Sequence, residues 1–200
     1  NIKTLTISAL FHDASLIRGN SKLHRYQKNV LDSFKIGQKN RFVLTAPTSF
    51  GKTFLVYEII QKMQYQNVLF IFPAISLLSE NYARLCKLDI FQSYKIHSLS
   101  EEEFCLSERN IFIFTPERFL SFMDSHQHIH FDFAFVDEVY KIDNSFIIDS
   151  ETSGENERDT VYRLALEFIC NLASDMLLAG PYMACLLYTS PSPRDGATSR

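Results

Sequence analysis

The 200-residue chain has few cysteines and no excess of basic residues. The cysteines are Cys86, Cys105, Cys170 and Cys185. Their wide spacing, without a CxxC pair, argues against a zinc site or a disulfide framework and favours a reducing cytoplasm. The formal net charge is -3, so the chain as a whole lacks the basic character of a protein that coats nucleic acid. Any contact with a polynucleotide is therefore expected to be local.

The chain also lacks a long apolar run. No segment approaches the roughly 18 apolar residues that a membrane span needs. The opening NIKTLTISAL has neither the basic start nor the cleavage site of a signal peptide. We therefore expect no membrane partner. An initiator methionine is missing too, and residues 1–21 are expected to be the lead-in from an upstream region.

The composition changes at the carboxyl end, where CLLYTSPSPRDGATSR (185–200) is rich in Ser, Pro, Gly and Arg. One interpretation is a flexible linker. Another is that this segment translates, in a single frame, a transposase-end sequencing adapter, which predicts a non-native tail. On that hypothesis the chain is an internal fragment of a longer protein.

Between these ends, short apolar runs alternate with helical patterns. The runs that predict strands span 41–47, 67–73, 94–99, 110–116, 131–138 and 175–181. Several are apolar on both faces, which is typical of a parallel sheet covered on both sides. Helical spacing is found over 23–34, 52–64, 75–87, 117–123 and 161–172. The alternation predicts one three-layer α/β/α domain over 22–184 with a mainly parallel sheet, and the phenylalanines are expected to form its core.

Ligands bind outside the carboxyl ends of the strands in such a sheet, so the residues just after each strand are the first candidates for function. One of these segments, APTSFGKT (46–53), meets the phosphate-loop pattern GxxxxGK[ST] except that alanine replaces the first glycine. A GK[ST] tripeptide arises by chance in roughly one chain in ten of this length. Here, however, it follows a predicted strand and opens a predicted helix, which is the setting a phosphate loop requires.

The residue types in this loop suit a nucleotide. Gly51 would let the backbone approach the phosphates, Lys52 would reach the terminal phosphates, and the Thr53 hydroxyl would hold Mg²⁺. The loop residues expected to contact the nucleotide are Thr48, Ser49, Phe50, Gly51, Lys52 and Thr53.

A second candidate segment is the acidic pair Asp137 and Glu138, which ends the predicted strand FAFV. Asp137 would hold Mg²⁺, directly or through water. Glu138 would orient and deprotonate the attacking water, as phosphoryl transfer requires. The alternative is an acidic pair that only leads into a loop. With Lys52, these two residues form the predicted catalytic set.

Taken together, these segments resemble the N-terminal RecA-like domain of a DEAD/DEAH-box-like superfamily two helicase, over about residues 22–183. LHRYQKNVL (23–31) is similar to the Q-motif region, in which Gln27 would read the adenine edge. APTSFGKT is similar to motif I, which commonly begins with alanine in this family. FPAISLLSEN (72–81) and FTPERFLSFM (114–123) resemble motifs Ia and Ib, which would lie along the nucleic-acid backbone.

In those last two segments, Ser76, Thr115 and Arg118 would donate to phosphate oxygens without reading bases. The alternative is that both segments are ordinary strand-to-helix turns in which Ser76 or Thr115 caps a helix.

The sequence departs from the family pattern in several places. Tyr140 stands where motif II usually has Asp or His, and Ser49 replaces a glycine that many relatives have. Ala179, Gly180 and Pro181 stand where the Ser-Ala-Thr tripeptide of motif III is usual.

Two further stretches each allow two interpretations. The acidic stretch 141–163 has no clear periodicity before Val161 and is interpreted as a solvated loop rather than a regulatory or substrate-contacting insertion. HQHIH (126–130) is read as a polar approach to the next strand rather than a metal site.

The resemblance implies the first motor domain of an ATP-dependent DNA or RNA helicase, a nucleoside triphosphatase that uses ATP and Mg²⁺. A second RecA-like domain of the same parent chain would complete the ATP site, so the fragment alone is expected to bind ATP weakly and to hydrolyse it poorly. Two alternatives remain open: a nucleic-acid translocase of a restriction or defence system that does not unwind, and a P-loop ATPase switch that does not act on nucleic acid.

Overall fold

The computed structural model describes residues 3–6, 16–18, 21–23, 25–47, 50–98, 105–139 and 153–180. Several sequence-based expectations lie outside these residues. They concern Thr48, Ser49, Tyr140, Pro181, the acidic stretch 141–152 and the tail 185–200.

The described residues form strands and helices that alternate along most of the chain. The strands are β1 (Lys3–Thr6), β2 (Leu16–Arg18), β3 (Ser21–Leu23), β4 (Arg41–Thr45), β5 (Asn67–Ile71), β6 (Lys95–His97), β7 (Asn110–Phe114), β8 (Phe131–Val136) and β9 (Ala173–Gly180). The α-helices are α1 (Arg25–Ser33), α2 (Lys52–Met63), α3 (Ile75–Lys87), α4 (Pro116–Ser125) and α5 (Ser153–Leu172). Each of the six predicted strands is present.

Seven strands form one sheet in the order β1-β4-β9-β8-β5-β7-β6, while β2 and β3 pair as a separate antiparallel hairpin. Every neighbouring pair in the large sheet is parallel. This confirms the predicted α/β class. The order also separates β4 from β8 by a single strand, β9, although the two are far apart in the chain.

The sheet is buried on both faces. Along β8, Phe133 and Phe135 pack into one apolar cluster, whereas Ala134 and Val136 pack into the other. Successive side chains of a strand point to opposite faces, so an uninterrupted apolar run supplies both layers. Burial of each phenylalanine contributes about 2–3 kcal/mol. The first cluster includes residues of α1, α2 and α3, and the second includes residues of α4 and α5, which gives the three layers.

The structure differs from the sequence prediction at α5. This helix begins at Ser153, so residues 153–160 are helical and the prediction that they belong to a loop is wrong. The reason lies in the exposure of the side chains that the structure describes from residue 157 onward: Glu157, Arg158 and Thr160 are exposed, and the first buried one is Tyr162. A solvated helical segment has no apolar periodicity to reveal it.

The prediction also missed β1, which pairs with β4 at the edge of the sheet. Its sequence, KTLT, is too short and too polar to stand out as a buried strand.

A buried polar cluster joins the amino ends of the central strands. The Asp175 carboxylate accepts hydrogen bonds from Asn40 N at 2.7 Å, Asn40 Nδ2 at 2.8 Å and the Tyr65 hydroxyl at 2.6 Å. All three residues are less than a tenth exposed. Burial, followed by the hydrogen bond to Asp175, raises the pKa of Tyr65 far above its usual value, so this hydroxyl remains a donor. The cluster therefore ties β4, β9 and the start of β5 together.

Candidate nucleotide site

The two predicted nucleotide-binding segments lie at the same edge of the sheet. Residues 46–53 follow β4 and the Asp137–Glu138 pair follows β8, with the end of β9 between them. Strands in a sheet are about 4.8 Å apart, so the ends of β4 and β8 are separated by about 10 Å. Ala46 N donates to Gly180 O at 3.0 Å, which joins the base of the phosphate loop to β9. The fold therefore brings together segments that are some 90 residues apart in the sequence.

Gly51 occupies a conformation that suits glycine. Its φ is 76° and its ψ is 37°, in the left-handed region, and it is the N-cap of α2. A Cβ atom at this position would lie 2.9 Å from Gln27 Nε2. Because a glycine cap has no side chain to accept from the first N–H groups of the helix, those donors face the loop and suit an anion.

Ala46 does not need to be glycine. Positive φ occurs at only two described residues other than glycine, Gln64 and Glu138, so Ala46 has a backbone conformation that alanine readily adopts. Its methyl group is buried in the first apolar cluster. Alanine can therefore replace the first glycine of the phosphate-loop pattern without backbone strain at this position.

Lys52 lies at the start of α2 and is only 6% exposed. Its Nζ lies 3.4 Å from Ala46 O, so the side chain folds back across the loop that it follows. That contact is long for a hydrogen bond to a charged donor. A buried ammonium group is costly without strong partners, and a phosphate oxygen within the loop would supply one. The position therefore fits an anionic ligand.

Gln27 is buried and contacts the phosphate loop. Its Nε2 donates to Phe50 O at 2.7 Å, which ties α1 to the residue just before Gly51. Sequence reasoning assigned Gln27 to the adenine edge and did not foresee this contact. Recognition of adenine by Gln27 stays a prediction.

The acidic pair lies in a turn with an unusual backbone. Asp137 N donates to Ile71 O at 3.0 Å and so prolongs the pairing of β8 with β5. Glu138 N donates to Asp137 Oδ1 at 3.0 Å, and Glu138 has a φ of 54°, in the left-handed region. The Tyr162 hydroxyl on α5 donates to Asp137 O. A residue other than glycine in this region costs about 1 kcal/mol or more and often marks a functional site.

The segments similar to motifs Ia and Ib follow the adjacent strands β5 and β7. Ser76 is exposed in the first turn of α3, whose N-cap is Ala74, so Ser76 is not the cap. Thr115 is the N-cap of α4: the residue is buried, and its hydroxyl accepts from Arg118 N at 3.4 Å. The Arg118 guanidinium donates to Ser98 O at 3.4 Å, beyond the end of β6.

The histidine-rich turn before β8 makes ordinary polar contacts. His126 Nδ1 lies 3.0 Å from Phe122 O, and His130 Nε2 lies 2.8 Å from Ser174 Oγ. Within the described part of the chain, no three His, Cys, Asp or Glu side chains form a group suited to a metal ion. No helix in that part is long and apolar enough to cross a bilayer.

Comparisons with known proteins agree with this architecture. The family described as "Type III restriction enzyme, res subunit" matches residues 20–166. "Anti-bacteriophage protein B" of Escherichia coli (strain K12) is 26% identical over 160 residues, which are 80% of this chain and 21% of that protein. The chain thus spans about a fifth of the length of this curated relative.

A solved structure described as "Sulfolobus solfataricus SWI2/SNF2 ATPase core in complex with dsDNA" is similar with a TM-score of 0.56. The match covers 82% of this chain and 32% of the other, at 13% identity, so it concerns the fold alone. Together with the family match, it confirms the predicted RecA-like domain of superfamily two.

Proposed function

The chain belongs to the family of the type III restriction enzyme res subunit and is a helicase-like ATPase domain, and from this premise we propose that it is the first motor domain of an ATP-driven nucleic-acid translocase in a defence system. One observation carries the proposal. The left-handed Gly51 at the start of α2 and the Asp137–Glu138 turn flank the end of the same strand, β9. The similarity to a protein named for action against bacteriophage favours a defence role.

The residues present fit ATP with Mg²⁺. The open N–H groups at the start of α2 and the buried ammonium of Lys52 would hold the phosphates. Contacts of residues 48–50 with the nucleotide stay a prediction. Thr53 and Asp137 supply the oxygen ligands that Mg²⁺ prefers. The metal, when bound, neutralises charge on the phosphate oxygens. Gln27 holds the loop through Phe50 and in our proposal also contacts the adenine.

The proton acceptor in this proposal is Glu138. Its carboxylate would orient the attacking water and take a proton from it as the bond to the terminal phosphate breaks. The turn that carries Glu138 continues from β8, whose last four residues are buried, so a well-packed strand supports the position of the side chain. A second RecA-like domain in the same protein would complete the site. We expect this domain alone to bind ATP weakly and to hydrolyse it poorly.

Nucleic acid would lie across the ends of β5 and β7, beside the nucleotide site. Ser76 and Arg118 are at the surface or partly exposed there. The Thr115 hydroxyl accepts from Arg118 N as a cap and keeps its own proton to donate to a phosphate oxygen. Contacts of this kind hold the backbone without reading the sequence. We place the protein in the cytoplasm, where foreign DNA is met.

The second candidate is a helicase that separates strands, which the superfamily resemblance favours. We prefer translocation because the family match and the curated relative both point to restriction and defence. Triplex displacement without strand displacement by the full-length protein supports translocation. Strand displacement in a partial-duplex assay supports the helicase.

ATP turnover of the full-length protein, with and without DNA or RNA, tests the proposed function. We expect stimulation by nucleic acid, and we expect Lys52→Ala to lower turnover about a hundredfold or more because the phosphates lose a buried cation. Lys62→Ala is the matched control, since Lys62 lies on the same helix but donates to Leu31 O at 2.6 Å, away from the loop. Turnover that nucleic acid does not change would instead indicate a P-loop switch.

A further inference from the structure

Tyr162 connects α5 to the acidic turn of the candidate site. It is 5% exposed and packs in the same apolar cluster as Val136 and Val139, which flank the acidic pair. Its hydroxyl donates to the backbone carbonyl of Asp137. The ring therefore anchors the side chain in the core while the hydroxyl reaches the turn.

The turn needs such support because Glu138 has a left-handed backbone. A residue other than glycine holds this conformation only when its surroundings enforce it. The bonds described above are Asp137 N to Ile71 O, Glu138 N to Asp137 Oδ1, and the Tyr162 hydroxyl to Asp137 O. Of these three, only the bond from Tyr162 comes from outside the sheet and the turn. It fixes the carbonyl of the peptide unit that precedes Glu138, and hence the peptide plane that sets φ of Glu138.

The same helix leads to the phosphate loop. α5 runs directly into β9 at Ala173, and Gly180 at the end of β9 accepts from Ala46 N at the base of the loop. A shift of α5 would therefore act on both parts of the site. The residues at the end of β9 also lack the Ser-Ala-Thr tripeptide that would commonly connect the nucleotide site with the rest of the motor.

We propose that Tyr162 is a positioning residue for Glu138, and that α5 with β9 couples the acidic turn to the phosphate loop in this protein. The proposal rests on the proposed ATPase function. It predicts that the Tyr162 hydroxyl matters for the hydrolytic step more than for nucleotide binding.

The experiment compares Tyr162→Phe with Tyr94→Phe in the full-length protein. Both changes remove only a hydroxyl that donates to a backbone carbonyl, since Tyr94 donates to Tyr65 O near the opposite edge of the sheet. We expect Tyr162→Phe to lower kcat for ATP about fivefold, as loss of one hydrogen bond implies. KM for ATP should change less than about twofold because the phosphate loop is intact. Tyr94→Phe should leave both constants near the wild-type values.

Hydrogen exchange gives a second readout that does not depend on activity. We expect the backbone amides of residues 137–139 to exchange about fivefold faster in Tyr162→Phe and to be unchanged in Tyr94→Phe. An unchanged kcat in an active protein, or unchanged exchange at 137–139, overturns the positioning role. A wild-type protein without ATP turnover counts against the proposed function instead, and the exchange measurement then still decides the role of Tyr162.

Discussion

The amino ends and the carboxyl ends of the strands in the large sheet, here called its amino edge and its carboxyl edge, use polar residues in opposite ways. At the amino edge, Asp175 is buried and accepts three hydrogen bonds from Asn40 and Tyr65. At the carboxyl edge, Gly51 and Glu138 both have left-handed backbones, and the contact of the buried Lys52 with Ala46 O, found among the described residues, is long for a charged donor. The same parallel strands connect these two environments.

This difference separates stability from function within a single sheet. A buried polar cluster whose groups bind one another stabilises the fold and leaves nothing for a ligand. A loop with a strained backbone and a poorly solvated cation is less stable by itself and gains a partner when an anion binds. Substitutions at the amino edge should therefore lower the free energy of unfolding, whereas substitutions at the carboxyl edge should lower ATP turnover.

The largest effect is expected from Glu138→Gln at the carboxyl edge. Removal of the proton acceptor should lower ATP turnover about 10²–10⁴-fold, while nucleotide affinity and the free energy of unfolding stay near the wild-type values. Single-turnover hydrolysis and equilibrium binding of a fluorescent ATP analogue measure the two properties. Normal turnover in this variant would remove Glu138 from its proposed role.

The next effect is expected from Asp175→Ala at the amino edge. Loss of this carboxylate leaves the buried Asn40 and Tyr65 donors without their acceptor, so the free energy of unfolding should fall by about 3 kcal/mol. Urea titration of the domain measures this loss. Tyr65→Phe is the graded control, since it removes one of the three bonds and should cost about 1 kcal/mol. If either change lowered kcat in protein that remains folded, the division between the edges would be wrong.

The smallest effect is expected from Arg118→Gln, beside the end of β7. If this guanidinium meets a phosphate, affinity for nucleic acid should fall by about 1 kcal/mol and the slope of log K against log salt should decrease by about one. Thr115→Ala differs because it removes the cap of α4 together with a proposed phosphate donor, so it should also reduce stability by about 1 kcal/mol. An unchanged salt slope in Arg118→Gln would place the polynucleotide elsewhere.

Much of the architecture was predictable because burial on both faces leaves a clear pattern. The strands β4, β5, β7, β8 and β9 are mainly apolar runs, and the helices with a core-facing stripe were predicted close to their observed bounds. The start of α5 and the edge strand β1 were missed for the same reason: their residues are polar or too few, and a solvated segment carries no periodicity. Thr115 is the N-cap of α4, which was one of the two interpretations of this segment.

The position of the candidate phosphate loop between a strand and a helix could be predicted because Gly51, Lys52 and Thr53 are adjacent in the sequence and their relation to β4 and α2 is local. The contacts between Gln27 and Phe50, between Tyr162 and Asp137, and between Ala46 and Gly180 join residues far apart in the chain. The contact between Ala46 and Gly180 depends directly on the strand order, which inserts β9 between β4 and β8. Side-chain periodicity indicates which face of an element is buried but not which neighbouring element that face contacts. These contacts could therefore be identified only from the tertiary structure.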